Sequence, residues 1–329
     1  MKFVGHRGAS HVLPELTMAA ITKALALGVS FECDLQVLRS GEVVLLHDDT
    51  LERTAAPWSA DCGFEEEAYK TLITTPAASL SLAEVSSVDV GSWFDAAHRE
   101  ERVPLFSQAL DALKESREAS SKCCFAELKS VVEEDGGTGP IPEIDRQLVV
   151  AADAIARAHE LLPEQLVWIS FSLAVAAEIK KRDPMHASLL IRCGARALAS
   201  PRNLTQRPCL RQATAHRPLP PSPNTAASLA PRRHVRSAED AWQAARDCVE
   251  HGLDGIDLNA DQNFVTAELA EWLRERNKVL AVWVFRAPAV NDTPEVWPAM
   301  RDIGTAYFTS NLPPQLEEWR DGSAAPVLA

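Results

Sequence analysis

The chain has 329 residues, 46% of them hydrophobic, and a formal net charge of −13. That length is enough for one large α/β domain or two average ones, and the apolar share argues against a wholly disordered chain. The acidic balance argues against nucleic-acid binding, which needs a basic face. It still permits a small anionic substrate where a metal or a few cations dominate locally.

Taken in chain order, short apolar runs alternate with amphipathic stretches. The runs predict strands at Lys2–Gly5, Ser30–Leu38, Val43–His47, Cys123–Lys129, Leu166–Phe171, Ser188–Arg192, Gly255–Leu258, Val279–Phe285 and Ala306–Thr309. Helices are predicted at Glu15–Leu27, Phe106–Ser116, Ile144–Leu161, Leu173–Lys180, Ser237–His251, Val265–Arg276 and Pro294–Asp302. Ser237 and Asp292-Thr293 stand where N-caps belong, and Gly28 and Gly252 where helices end. Repeated strand-helix units imply parallel strands with crossover helices, and about eight of them predict a (β/α)8 TIM barrel.

Residues 1–318 are expected to form a single catalytic barrel domain, followed by a tail at 319–329. Two segments break the rhythm. Residues 49–104 read as a small insertion after the second strand, lying over the barrel mouth. Residues 195–236 hold eight arginines, seven prolines and no acidic residue, which predicts a flexible loop. That basic loop is the expected place for any weak contact with an anionic membrane surface. There is no signal-peptide pattern at the start and no run approaching the ~18 apolar residues of a membrane span. Seven cysteines without a CxxC pair fit reduced, mostly buried thiols. The expected location is therefore the cytoplasm.

The chemistry concentrates at the ends of the apolar runs, where barrel active sites assemble. Glu32 and Asp34 are two apart on a strand and share one face. Such carboxylates repel unless a cation lies between them, and oxygen-only ligands favour Mg²⁺ or Ca²⁺ over zinc. Glu127 and Lys129 repeat the spacing, supplying a third carboxylate and a point charge for phosphate. His6 and His47 each end a run beside charge and are candidates for proton transfer, with Arg7 as a fork for phosphate oxygens. Phe171 and Trp283 end later runs and are candidates for an apolar pocket wall. Thr309-Ser310-Asn311 is placed to shape the pocket through hydrogen bonds.

The ordered motifs His6-Arg7-Gly8, Pro14-Glu15-Leu16-Thr17, Glu32-Cys33-Asp34, His47-Asp48, Leu51-Glu52-Arg53-Thr54, Glu127-Leu128-Lys129 and Thr309-Ser310-Asn311-Leu312-Pro313 resemble those of the glycerophosphodiester phosphodiesterase family. The resemblance covers nearly the whole chain outside the arginine-rich loop. It implies a TIM barrel with a small insertion and a divalent cation, Mg²⁺ or Ca²⁺, on Glu32, Asp34 and Glu127. It also implies His6 and His47 as general acid and base, and Arg7 and Lys129 on the phosphate. The implied reaction is hydrolysis of a glycerophosphodiester to glycerol 3-phosphate and an alcohol. The alternatives are a lysophospholipase D acting on lysophospholipids, and a non-catalytic barrel serving as a binding module. Three departures bear on substrate choice: Leu16 stands where the family has Asn, Val284-Phe285-Arg286 follows Trp283 in place of Thr-Val-Asn, and Asn311 stands near a usual Asp.

Overall fold

A computed structural model describes residues 1–131, 140–194, 234–235, 237–284, 292–293 and 296–312. The basic loop expected at 195–236, apart from two residues, lies outside this set, as do Phe285, Arg286 and the tail. No helix among the described residues is long and apolar enough to cross a membrane.

The strands are β1 (Lys2–Gly5), β2 (Ser30–Val37), β3 (Val43–Leu45), β4 (Cys124–Leu128), β5 (Leu166–Ser170), β6 (Ala187–Gly194), β7 (His234–Val235), β8 (Gly255–Asn259), β9 (Val279–Trp283) and β10 (Tyr307–Ser310). Eight of them pair in parallel in the order β1-β10-β9-β8-β6-β5-β4-β2, and β2 returns to β1 to close the barrel. The short β7 pairs only with β6. Nine helices surround these strands: α1 (Met18–Ala26), α2 (Glu66–Thr74), α3 (Leu82–Ser86), α4 (Phe106–Glu115), α5 (Glu143–His159), α6 (Leu173–Arg182), α7 (Ala238–Glu250), α8 (Ala267–Arg274) and α9 (Val296–Ile303) among the described residues.

Period-2 alternation sorts each strand's side chains between two cores. Val4, Phe125, Val167, Ile169, Leu189, Ile191 and Ala281 fill the barrel interior. Their outward neighbours, among them Phe31, Leu35, Trp168, Leu190, Ile256 and Val282, pack under the helices. Cys33, Cys123, Cys124 and Cys248 are buried free thiols, so the cysteines serve here as small apolar side chains.

One predicted strand behaves differently. The run Val43–His47 has the composition of a barrel strand, yet β3 runs antiparallel to β2 and stands outside the barrel. Its alternation explains why. Val43 and Leu45 face the main core, while Val44 and Leu46 face a second cluster with Leu51, Tyr69, Leu80, Val85, Val88 and Val103. The excursion therefore has a small core of its own, built on α2 and α3, and β3 belongs to both. Ser81 caps α3 through a capping box with Glu84.

Candidate active site

The tripeptide His6-Arg7-Gly8 turns sharply where β1 ends. Arg7 and Gly8 are both left-handed, with φ of 57° and 78°. A Cβ on Gly8 would lie 2.7 Å from the backbone carbon and oxygen of Ala20 in α1. Gly8→Ala is therefore expected to destabilise the fold by more than about 1 kcal/mol, since conformation and space both oppose it. A thermal melt of the purified variant tests this, and an unchanged melting temperature would refute it.

The turn aims Arg7 three ways. Its backbone N–H donates to Glu32 Oε2 at 2.7 Å. Its Nη1 donates to Glu15 Oε1 at 2.8 Å, and its Nε lies 3.4 Å from Asp34 Oδ2. Glu15 reaches this point because it is not helical, as the predicted Glu15–Leu27 helix would have made it. Leu16 adopts φ 56°, and α1 starts only after Thr17, whose hydroxyl accepts the Ala20 N–H.

Glu32 and Asp34 stand on β2 beside Glu127 on β4, with Asp34 in register with Glu127. One carboxylate oxygen from each lies within 4.8 Å of the others, and all three residues are buried. Lys129 balances part of this charge, with Nζ 2.9 Å from Asp34 Oδ1 and 2.6 Å from Glu127 Oε1. Glu32 Oε1 and Asp34 Oδ2 are buried with no hydrogen-bond partner. Burial, then Asp34 and Glu127, push the Glu32 carboxyl well above its ordinary range. Burial alone would raise Asp34 too, but Lys129, His47 and Arg7 outweigh it and hold that carboxyl low. All-oxygen ligands suit a hard cation, and oxygens this close fit metal–oxygen distances of about 2.0–2.6 Å. The residues thus fit a divalent ion.

Two imidazoles flank the acids. His6 Nδ1 pairs with Asn311 Oδ1 at 2.8 Å, and its Nε2 lies 3.9 Å from Glu32 Oε2. His47 follows β3 and pairs through Nδ1 with Asp48 Oδ1 at 2.6 Å. An oxygen at each Nδ1 places the proton there and leaves Nε2 as the reactive nitrogen. Burial, then Arg7, lower each imidazole to about 3. Each ring also senses the charge of Asp34, and His47 acts on His6, so the two converge on one locality.

Phe171 and Trp283 meet each other, with ring centroids 6.0 Å apart in an edge-to-face arrangement. They sit past β5 and at the end of β9, joined through Arg192. Arg192 donates to the Phe171 carbonyl, and its own carbonyl accepts from Trp283 Nε1.

Several polar residues here carried no assigned role from sequence. Arg53 donates to both oxygens of Glu15 and through Nε to Asp48 Oδ2. Asp292, which reads as a helix cap, instead accepts from Trp297 Nε1, Ser310 Oγ and the Asn311 N–H. Asp257 on β8 aligns with the interior residues Ile191 and Ala281, and its Oδ1 is buried without a partner. Burial, then Glu127, raise its carboxyl. Its position two residues from Asn259 on a strand was the available sequence signal.

The sequence model of the Glycerophosphoryl diester phosphodiesterase family matches residues 6–305. The chain is 26% identical over 197 residues to a glycerophosphodiester phosphodiesterase of Bacillus subtilis, covering 55% of this chain and 56% of that protein. It is 26% identical over 193 residues to one of Caldanaerobacter subterraneus, covering 58% and 67%. The chain thus spans about half the length of the Bacillus relative it matches. Among solved structures, an Oleispira antarctica phosphodiesterase in complex with the product sn-glycerol-3-phosphate superposes with a TM-score of 0.64 at 18% identity, over 98% of this chain and 97% of that one. That likeness supports the barrel fold.

Proposed function

Because the chain belongs to the Glycerophosphoryl diester phosphodiesterase family, we propose that it hydrolyses glycerophosphodiesters to glycerol 3-phosphate and an alcohol, with a divalent cation bound by Glu32, Asp34 and Glu127. The observation that carries this reading is three buried carboxylates with oxygens within 4.8 Å of one another, with His6, Arg7 and Lys129 within 4 Å of them and His47 near enough for its charge to act on Asp34. Such a constellation costs stability and has no packing rationale.

The cation, when bound, would withdraw charge from a phosphoryl oxygen and acidify a bound hydroxyl. The remaining steps belong to side chains of the chain. Arg7 and Lys129 offer positive charge to the phosphate oxygens, where charge rises in the transition state. One imidazole Nε2 takes the proton from the attacking oxygen; the other must first bind a proton at its own Nε2, which it gives to the leaving alkoxide, and the proton gained by the first ring leaves to solvent so that the pair is reset. One water is consumed and one P–O bond is exchanged for another. Asp48 and Asn311 hold the two Nδ1 atoms, so each ring presents the same nitrogen to the reaction. Phe171 and Trp283 are proposed to line the wall against the alcohol group. Residues 1–318 are proposed to act as one catalytic domain, with the 49–104 insertion over the barrel mouth.

The test is product analysis with glycerophosphocholine, glycerophosphoethanolamine, glycerophosphoinositol and lysophosphatidylcholine, each with Mg²⁺, Ca²⁺ or EDTA. Glycerol 3-phosphate release from one or more of the first three, lost in EDTA and restored by one cation, is the expected result. Turnover of lysophosphatidylcholine alone would move the assignment to a lysophospholipase D. No turnover of any substrate with either ion would leave a binding module.

A further inference from the structure

Arg53 lies outside the barrel strands, in the loop that follows His47, yet all three of its guanidinium nitrogens are engaged by carboxylates. Its Nη1 donates to Glu15 Oε2 at 3.0 Å and its Nη2 to Glu15 Oε1 at 2.7 Å. Its Nε donates to Asp48 Oδ2, and the other oxygen of Asp48 holds His47 Nδ1 at 2.6 Å. The Glu15 side chain is 1% exposed and is shared with Arg7. An unbroken chain of hydrogen bonds therefore runs from Arg7 through Glu15, Arg53 and Asp48 to His47.

We propose that Arg53 is a positioning residue, whose guanidinium bridges buried Glu15 and Asp48 and so fixes the His47 ring relative to Arg7. The geometry requires an arginine. A planar fork takes both Glu15 oxygens while its remaining N–H reaches Asp48, whereas an ammonium is a single point charge. The bridge also solves a local problem. The backbone around His47 is tied to β2, where the Leu46 N–H donates to the Asp34 carbonyl and Gln36 Nε2 donates to the Asp48 carbonyl, but neither bond fixes the Asp48 carboxylate that holds the ring. Glu15 follows the His6-Arg7-Gly8 turn, and Arg53 carries that reference across. Asp48 is 31% exposed on its side chain and His47 23%. Without a second anchor, Asp48 would turn toward water and release the ring. Outer partners of this kind are worth about 10- to 100-fold in activity where they have been removed.

This inference rests on the role given to His47 above, and its test separates the two. Full-length Arg53→Ala, Arg53→Lys, Asp48→Ala and the double variant Arg53→Ala/Asp48→Ala are assayed with glycerophosphocholine. Arg39→Ala, at an exposed surface pair with Glu84, is the control. In parallel, ¹⁵N-histidine-labelled protein reports the His47 ring nitrogens by NMR. Arg53→Ala is expected to lower kcat by about 10- to 100-fold while KM stays within about threefold. Arg53→Lys should restore only part of the loss, the double variant should be little worse than Asp48→Ala alone, and Arg39→Ala should match wild type. The His47 Nδ1 and Nε2 signals should move toward each other in Arg53→Ala as the single tautomer is lost. Arg53→Lys, which keeps a charge beside Glu15, replaces Arg53→Ala if the latter does not fold. Wild-type kcat and an unmoved His47 spectrum, or fully multiplicative effects of Arg53 and Asp48, would overturn the proposal. An inactive wild-type chain would instead count against the phosphodiesterase reading, and the NMR result would still decide whether Arg53 holds the ring.

Discussion

His47→Ala is expected to lower kcat by about two to four powers of ten, the usual worth of a general acid or base. The fold should survive. His47 lies beyond β3, and its side chain is 23% exposed. Circular dichroism and a thermal melt should therefore match wild type while steady-state kinetics collapse. KM should change little if Arg7 and Lys129 hold the phosphate as proposed. Near wild-type turnover from a folded His47→Ala protein would remove this residue from the chemistry, and with it the paired-imidazole mechanism.

Glu32→Gln separates stability from activity in the opposite sense. Removing one charge from three carboxylates whose oxygens lie within 4.8 Å relieves repulsion, and the amide oxygen can still accept the Arg7 N–H now given to Glu32. The metal-free variant should melt at or above the wild-type temperature. Its affinity for Mg²⁺ or Ca²⁺ in isothermal titration should fall sharply. Turnover should fall by about three powers of ten, as expected when a Lewis acid worth several kcal/mol is lost. A variant that binds the cation and turns over normally would show that the three acids are not its site.

Much of the barrel could be read directly from periodicity. Strands β1, β2 and β4 lie where their apolar runs end in charge, and the i, i+2 spacing of Glu32 with Asp34 places both carboxyls on the inner face. The antiparallel course of β3 was not legible, because a run such as Val43–His47 has the same alternation in either direction. Its partner in the insertion core, centred on Tyr69 and Val85, is brought close only by tertiary folding. The Ser81–Glu84 capping box was a local signal for α3 that the Ser/Ala-rich composition around it obscured. Glu15 was hidden for a different reason. It continues the helical pattern of α1, and only the left-handed Leu16 takes it out of register. Arg53 sits in a loop without period, and its importance comes from the residues it joins, 38 positions back and 5 positions back in the chain.

The closure of β1 against β10 sets when this protein can first work. His6 is synthesised 305 positions before its anchor Asn311, which stands just past β10. During translation the nascent polypeptide carries its acids, its arginines and both imidazoles long before the ring that aligns them can shut. Catalytic competence would arrive with the final strand, and a ribosome stalled anywhere upstream would hold an inert intermediate.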